Sequence, residues 1–213
     1  MKKPSKYLQR LKEAFSRIDA ANAEDPNRLT YQDEKLPKEL VHARRRSEWL
    51  NCLAPDASEL VCIAARAMHI QRWTIPRSSY PSGRVGYHKW RGALAQFHAK
   101  TTAEILLEVG YSQAESNTVA GLIQHKGAGS DADKQLLEDV ACLTFFEFDL
   151  VTFARGQESK KMLNILRRTW RKMSPKAQAI AQSDSIPGDA RQLIDTALGS
   201  SKIGQLNNGE TST

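Results

Sequence analysis

Apolar side chains recur every three to four residues along most of the chain, which is the spacing of one buried face of an α-helix. In residues 7–23, for example, Leu8, Leu11, Phe15 and Ile18 fall on one face. Asp25 precedes a proline and is therefore pushed out of the helical conformation, which ends this helix. Patterns that alternate with a period of two are scarce, so the sequence predicts an all-α fold.

Further helices are predicted along the rest of the chain, with proline or glycine residues at their ends. They start near Pro37 and then cover 58–70, 87–109, 113–126, 131–154 and 158–173, with a short helix opened by Ser174 and Pro175. The pattern weakens beyond Pro187. We therefore expect a single-domain helical bundle over residues 1–185 and a weakly structured C-terminal tail over 186–213.

The composition narrows the class of protein. The 213 residues include 31 Lys and Arg against 24 Asp and Glu, a net charge of +7. This surplus favours an anionic partner, such as a nucleotide, a phosphorylated metabolite or RNA. No apolar run approaches the length of a membrane span, and the three cysteines are widely spaced. We expect a cytoplasmic protein with reduced thiols and no membrane partner.

Charge is unevenly distributed along the chain. Residues 155–176 hold eight basic side chains and one acid, and residues 72–91 hold five basic side chains and no acid. Residues 101–150 instead hold nine acids and two lysines. A basic rim beside an acidic body suits a ligand that carries phosphate.

The predicted connection between two helices, residues 71–86, is longer than usual for a compact domain and therefore indicates a function. The stretch that it opens interleaves basic and aromatic side chains. Arginine can donate two parallel hydrogen bonds to phosphate oxygens, and aromatic rings stack on bases. A nucleotide or a single-stranded nucleic acid would therefore suit this stretch. We predict phosphate binding by Arg72, Arg77 and Lys89. The alternative is a rigid loop whose arginines are simply solvated.

Four of the five histidines are regularly spaced. His42, His69, His98 and His125 are separated by 27, 29 and 27 residues, about one helix and one turn each. Successive helices would each contribute one imidazole, and such side chains can converge inside a bundle.

Asp139 shares a helical face with Leu136, Leu143 and Phe146. A carboxylate on an apolar stripe is costly to bury unless it is paired, hydrogen-bonded or bound to a metal. His42, His69 and Asp139 are therefore candidate ligands of a divalent metal ion of unspecified identity. Alternatively, Asp139 bonds to His69 or Arg66 without a metal, or is exposed.

The two remaining histidines of the regular series, His98 and His125, are candidates for a second metal or for contact with substrate. They could equally be ordinary histidines on a helix surface.

Several stretches resemble the uncharacterised family DUF4202, a domain of unknown function. They are RIDAANAEDPN (17–27), ARAMHIQRWTIPRSSYP (65–81), FHAKTTAEILLEVGY (97–111), LEDVACLTFFE (137–147) and ILRRTWRKMSP (165–175). The resemblance covers roughly residues 8–180, and it implies no activity.

At a greater distance, the order of the histidines and of Glu138–Asp139 is similar to that in the HD-domain phosphohydrolases, which are all-helical and bind divalent metal. This resemblance implies that His42, His69 and Asp139 are first-metal ligands, and that His98 and His125 serve a second metal or face phosphate. One position departs from the family pattern, because Ile70 stands where an aspartate should follow the second histidine.

Two functions follow as expectations. The first is a metal-dependent phosphohydrolase that acts on a nucleotide or another phosphate-bearing small molecule. The second is a non-catalytic nucleotide- or RNA-binding protein that lost the aspartate at Ile70. A structural interaction protein is a third possibility.

Overall fold

The computed structural model describes residues 6–126 and 129–199. The first element is the amphipathic helix α1 (Lys6–Ala23), and an antiparallel hairpin of β1 (Arg28–Tyr31) and β2 (Glu34–Pro37) follows it. The turn residues Gln32 and Asp33 have φ of 51° and 64°, as a tight hairpin turn requires. The hairpin was not predicted, because strands of four residues are too short to show alternation.

Nine further helices complete the described part of the chain, which is mostly helical, so the all-α prediction is confirmed. They are α2 (Lys38–Leu53), α3 (Glu59–Ala67), α4 (Gly83–Val109), α5 (Gln113–Ile123), α6 (Asp131–Thr144), α7 (Leu150–Arg155), α8 (Ser159–Lys172), α9 (Pro175–Ala181) and α10 (Gly188–Leu198).

Helix α3 lies at the centre of the core. It packs against α1, α2, α5 and α6, and its apolar residues Val61, Ile63 and Ala64 are almost fully buried. The one charged side chain in its interior, Arg66, forms a two-bond ion pair with Asp19 of α1, at 2.7 and 2.8 Å. A helix that is apolar on nearly every side is expected in such a position.

The helix predicted over residues 131–154 contains a wide turn. Residues Phe145–Asp149 form a π-helical turn between α6 and α7, in which the backbone N–H of Leu150 donates to the carbonyl of Phe145. Such turns insert an extra residue and redirect the side chains that follow, and they are frequent at functional sites. Here the turn ends at Asp149.

Two boundaries differ from the prediction. Helix α4 begins at Gly83, and two short 3₁₀ turns, Arg72–Thr74 and Arg77–Ser79, occupy the connection before it. Helix α10 lies within the segment that the sequence assigns to a weak tail, because small residues such as Ala190 and Ala197 pack there without a strong apolar signal. Residues 200–213 of that tail lie outside the described residues.

Among the described helices, none is both long enough and apolar enough to cross a membrane.

Candidate functional site

Buried polar side chains from α2, α4 and the segment after α3 meet beside the π-helical turn. We call this group the arginine–histidine cluster, and it consists of Glu39, His42, Arg46, His69, Arg72, His98 and Asp149. Both of its arginines act electrostatically on each of its three histidines. Sequence spacing predicted that successive helices each contribute a histidine that can converge in this way.

Helix α2 supplies one polar face to this site, with Glu39, His42 and Arg46 at spacings of three and four residues. Arg46 is fully buried, and its guanidinium donates to Glu39 at 2.8 Å and to the carbonyl of Ala65 at 3.1 Å. Burial raises the pKa of Glu39, while the Arg46 charge opposes that rise. The pair thus fixes α2 against the end of α3.

Arg46 also sets the protonation of His69. Its Nη1 donates to Nδ1 of His69 over 3.3 Å, so the ring proton of the neutral imidazole is assigned to Nε2. Burial, together with the charges of Arg72 and Arg46, places the pKa of His69 well below its ordinary value. His69 is therefore a neutral hydrogen-bond donor at physiological pH.

His98 reaches the same place from α4. Its Nδ1 lies 2.7 Å from the carbonyl of Ile70 and donates to it, which leaves a lone pair on Nε2. That Nε2 is buried and has no hydrogen-bond partner among the described residues. Burial lowers the pKa of His98 to about 3, and the rings of His98 and His69 are 5.9 Å apart.

His42 lies at the other side of the cluster. Its Nδ1 lies 3.9 Å from a carboxylate oxygen of Asp149, whose second oxygen accepts from Lys38 at 2.6 Å. The Nε2 of His42 is also buried and unpartnered among the described residues, and burial lowers its pKa to about 3. The π-helical turn places Asp149 here, which the sequence did not predict.

A strained turn presents His69 and Arg72 to the cluster. Gln71 between them has a φ of 50°, which is uncommon for a residue with a side chain. Its backbone N–H donates to the buried amide oxygen of Asn22 at 2.9 Å, which stabilises the turn. Strain of this kind concentrates at functional sites.

Arg72 is the cation of the cluster that has no direct ion pair among the described residues, although the charges of Glu39 and Asp149 act on it at longer range. Among the described residues its guanidinium makes no hydrogen bond or ion pair, and it stacks 4.9 Å from the ring of Trp90. Burial lowers the pKa of Arg72, so part of its hydration has been removed. Arg91 adds a further positive charge that acts on His69 and His98.

Asp139 is buried, as predicted, but its hydrogen bonds lie outside the cluster. Its carboxylate accepts from the backbone N–H of Ser174 at 2.8 Å and from Gln135 at 2.9 Å. No histidine lies within 4.0 Å of it among the described residues. Arg66 pairs with Asp19 instead. The structure thus shows Asp139 tying α6 to the start of α9.

The other predicted residues take different positions. His125 is exposed beyond α5, near Glu138 rather than in the cluster. Arg77 donates to the carbonyls of Tyr80 and Pro81, and Lys89 is exposed on α4. Of the three predicted phosphate ligands, only Arg72 belongs to the cluster.

The predicted metal ligands do not lie together in the structure. Among residues 6–126 and 129–199, no three His, Cys, Asp or Glu side chains lie close enough to hold a metal ion. Ile70 is fully buried and contributes only its carbonyl oxygen. His42, His69 and Asp139 therefore do not form a joint ligand set in this conformation.

Sequence reasoning missed Glu39, Arg46 and Asp149. A signal for the first two was available, since Glu39, His42 and Arg46 repeat at helical spacing and the same side of the helix continues with Trp49 and Leu53. Asp149 had no such signal, because its position depends on the extra residue of the π-helical turn.

The fold and the cluster together define an all-helical protein with a largely buried polar site of arginines, carboxylates and neutral histidines. A family model for DUF4202, a domain of unknown function, matches residues 12–194. The chain belongs to this family, as its sequence motifs indicated. No curated protein and no solved structure matches significantly.

Proposed function

We propose that this protein binds a phosphate-bearing small molecule at the arginine–histidine cluster. The observation that carries the proposal is Arg72, a partly desolvated guanidinium without an anionic partner beside three neutral histidines. Removing a charge from water is costly unless a counter-charge compensates it. A phosphate group supplies that charge and matches the fork of the guanidinium.

The charge balance supports an anion rather than a cation. The carboxylate of Glu39 is bonded to Arg46, and that of Asp149 is bonded to Lys38. Arg72 has no direct ion pair among the described residues, and its charge disfavours protonation of all three histidines. His69 offers an N–H, while His42 and His98 become donors when a bound dianion raises their pKa. Binding is therefore expected to take up protons.

Hydrolysis by a metal-dependent mechanism, as in the HD domains that the sequence resembles, stays a prediction. One feature favours it, because His98 donates from Nδ1 to the carbonyl of Ile70 and leaves a lone pair on Nε2, as imidazoles that bind metals do. Against it, Ile70 removes a carboxylate and Asp139 bonds elsewhere. The residues present do not fit a metal centre, and we derive no step through one.

Isothermal titration with pyrophosphate, in the presence of EDTA, tests the proposal. Loss of a charge-assisted hydrogen bond amounts to about 1.5–3 kcal/mol, so Arg72→Gln should weaken binding at least tenfold. Lys100→Gln, an exposed change of equal charge, is the control and should have no effect. Wild-type protein that fails to bind at millimolar pyrophosphate, or an Arg72→Gln variant that binds equally well, would contradict the proposal.

The variant Ile70→Asp separates anion binding from a metal centre. Ile70 is fully buried, so an aspartate there would place an unpaired charge in the core and destabilise the fold by several kcal/mol. Under our proposal Mn²⁺ does not restore the melting temperature. If Mn²⁺ restores the melting temperature of the variant, the result supports a metal-dependent function and contradicts our proposal.

A further inference from the structure

The segment of residues 72–91, which we call the basic–aromatic segment, is held rigid by its own contacts. The guanidinium of Arg77 donates to the carbonyls of Tyr80 and Pro81 at 2.8 and 2.9 Å. The indole N–H of Trp90 donates to the carbonyl of Ile75 at 2.9 Å. A side chain at Gly86 would place Cβ only 1.9 Å from the carbonyl oxygen of Pro81. The loop is therefore packed directly onto α4, and its outer surface is preorganised.

That outer surface combines cations with an exposed aromatic ring. Arg84, Tyr87, His88 and Arg91 are spaced by three or four residues and so lie on one face of α4. Tyr87 is 44% exposed, although its ring is flanked by His88 and, at 6.0 Å between centroids, by Trp90. Single exposed apolar side chains are common, so the feature of interest is the combination of this ring with cations on the same helix face.

The positive charge of this surface is not neutralised locally. The segment contains no acidic residue. Within residues 6–126 and 129–199, neither Arg84, Lys89 nor Arg91 forms an ion pair with an acid. Unpaired cations on a rigid surface attract a polyanion without the cost of breaking existing pairs.

We propose that the basic–aromatic segment binds single-stranded nucleic acid, with an unpaired base stacked on Tyr87 and neighbouring phosphates on Arg84 and Arg91. Proteins that bind single strands without sequence preference combine two features. Cations lie along the phosphate backbone, and an aromatic ring stacks on a base. Bases inside a duplex are already stacked and cannot reach Tyr87. A membrane surface would use the cations but not the ring.

Fluorescence anisotropy with labelled twelve-nucleotide oligo(U) and oligo(dT) tests this proposal on the full chain. Binding of either strand is expected, and two phosphate contacts on a single strand give a slope of about −1.4 in log K against log salt. The dissociation constant should therefore rise roughly sevenfold between 50 and 200 mM salt. Tyr87→Ala should raise it roughly tenfold, and Tyr87→Phe should restore it.

Matched controls isolate the ring and the charges. Val85→Ala removes a more exposed apolar side chain from the same turn, 71% exposed, and should leave binding unchanged. Arg84→Gln with Arg91→Gln should flatten the salt slope, while Lys12→Gln with Lys100→Gln should not. Pyrophosphate binding by Tyr87→Ala is expected to match the wild type, which separates this surface from the cluster.

Any of four results would overturn the proposal. The first is that neither strand binds at about 100 µM protein, a concentration at which weak non-specific binding is already detectable. The others are that a duplex binds equally well, that Tyr87→Ala binds as well as the wild type, or that the protein binds anionic vesicles and not nucleic acid.

Discussion

The buried pair of Glu39 and Arg46 makes a prediction whose size follows from the structure. Both side chains are almost fully buried, and Arg46 also donates to Ala65 and His69. Arg46→Met keeps the volume but leaves Glu39 as an uncompensated buried charge. Breaking a buried pair in this way costs about 3–5 kcal/mol, which lowers the melting temperature by roughly 6–20 °C in a protein of this size.

The pH dependence of this loss identifies its cause. Burial already raises the pKa of Glu39 in the folded protein, and removing Arg46 raises it further. A carboxyl group with a raised pKa stabilises the fold when it is protonated, and that stability is lost as the pH rises through its folded pKa. The difference between variant and wild type should therefore be largest at pH 7.5 and smaller at pH 5.

Urea unfolding of both proteins at the two pH values measures this difference. Glu39→Gln combined with Arg46→Met should recover part of the loss at pH 7.5, since no buried charge remains. A loss below 1 kcal/mol at pH 7.5, on the order of an exposed pair, or a loss that does not change with pH, would refute the reasoning.

Three further predictions concern the histidines, Asp139 and the C-terminus. The folded state holds His98 neutral with a pKa of about 3, so the free energy of unfolding should fall as the pH drops from 6.5 toward 3. In urea unfolding of His98→Asn, the dependence of that free energy on pH should be shallower by about 1.4 kcal/mol per pH unit. Asp139→Ala removes the acceptor for the backbone N–H of Ser174 and should cost about 1–3 kcal/mol in urea unfolding without weakening pyrophosphate binding; lost binding at full stability would contradict this. Deletion of 201–213 should leave the melting temperature unchanged, whereas truncation after Pro187 removes α10 and should lower it by several degrees; equal melting temperatures would refute this contrast.

Most helices were predictable because each one buries an apolar face whose period can be counted in the sequence. Their ends were also readable where local chemistry sets them, as in the capping boxes that begin α5 at Ser112 and α6 at Ser130. Gly110, with a φ of 94°, ends α4 as predicted. The hairpin was not predictable because its four-residue strands are too short to show alternation, and the π-helical turn was not predictable because one extra residue leaves no local period to count.

The histidines of the candidate site show the same division. Their regular spacing indicated that His42, His69 and His98 arrive on successive helices, and they do belong to one cluster. His125 follows the same spacing but sits where α5 ends, with a φ of 54°, so its ring remains outside. Spacing along a chain therefore predicts which helix carries a side chain, but not the direction in which the end of that helix points it.

Asp139 and Asp149 illustrate why a buried carboxylate does not by itself identify a ligand site. The apolar stripe around Asp139 correctly indicated burial, yet its partner is a backbone N–H at the start of α9. A helix start exposes unpaired N–H groups, and a carboxylate satisfies them as well as it satisfies a metal. Asp149 is less buried, but it stands beside His42.

The cluster contains polar groups that no hydrogen bond or ion pair among the described residues satisfies. An unpartnered buried nitrogen costs free energy in the absence of a ligand. His42 and His98 both carry such a nitrogen, and Arg72 is partly desolvated without a direct ion pair. Under our proposal a phosphate group gives the arginine a direct counter-charge, and its negative charge favours the protonated form of nearby imidazoles. These unsatisfied groups are the reason for proposing an anion rather than a cation.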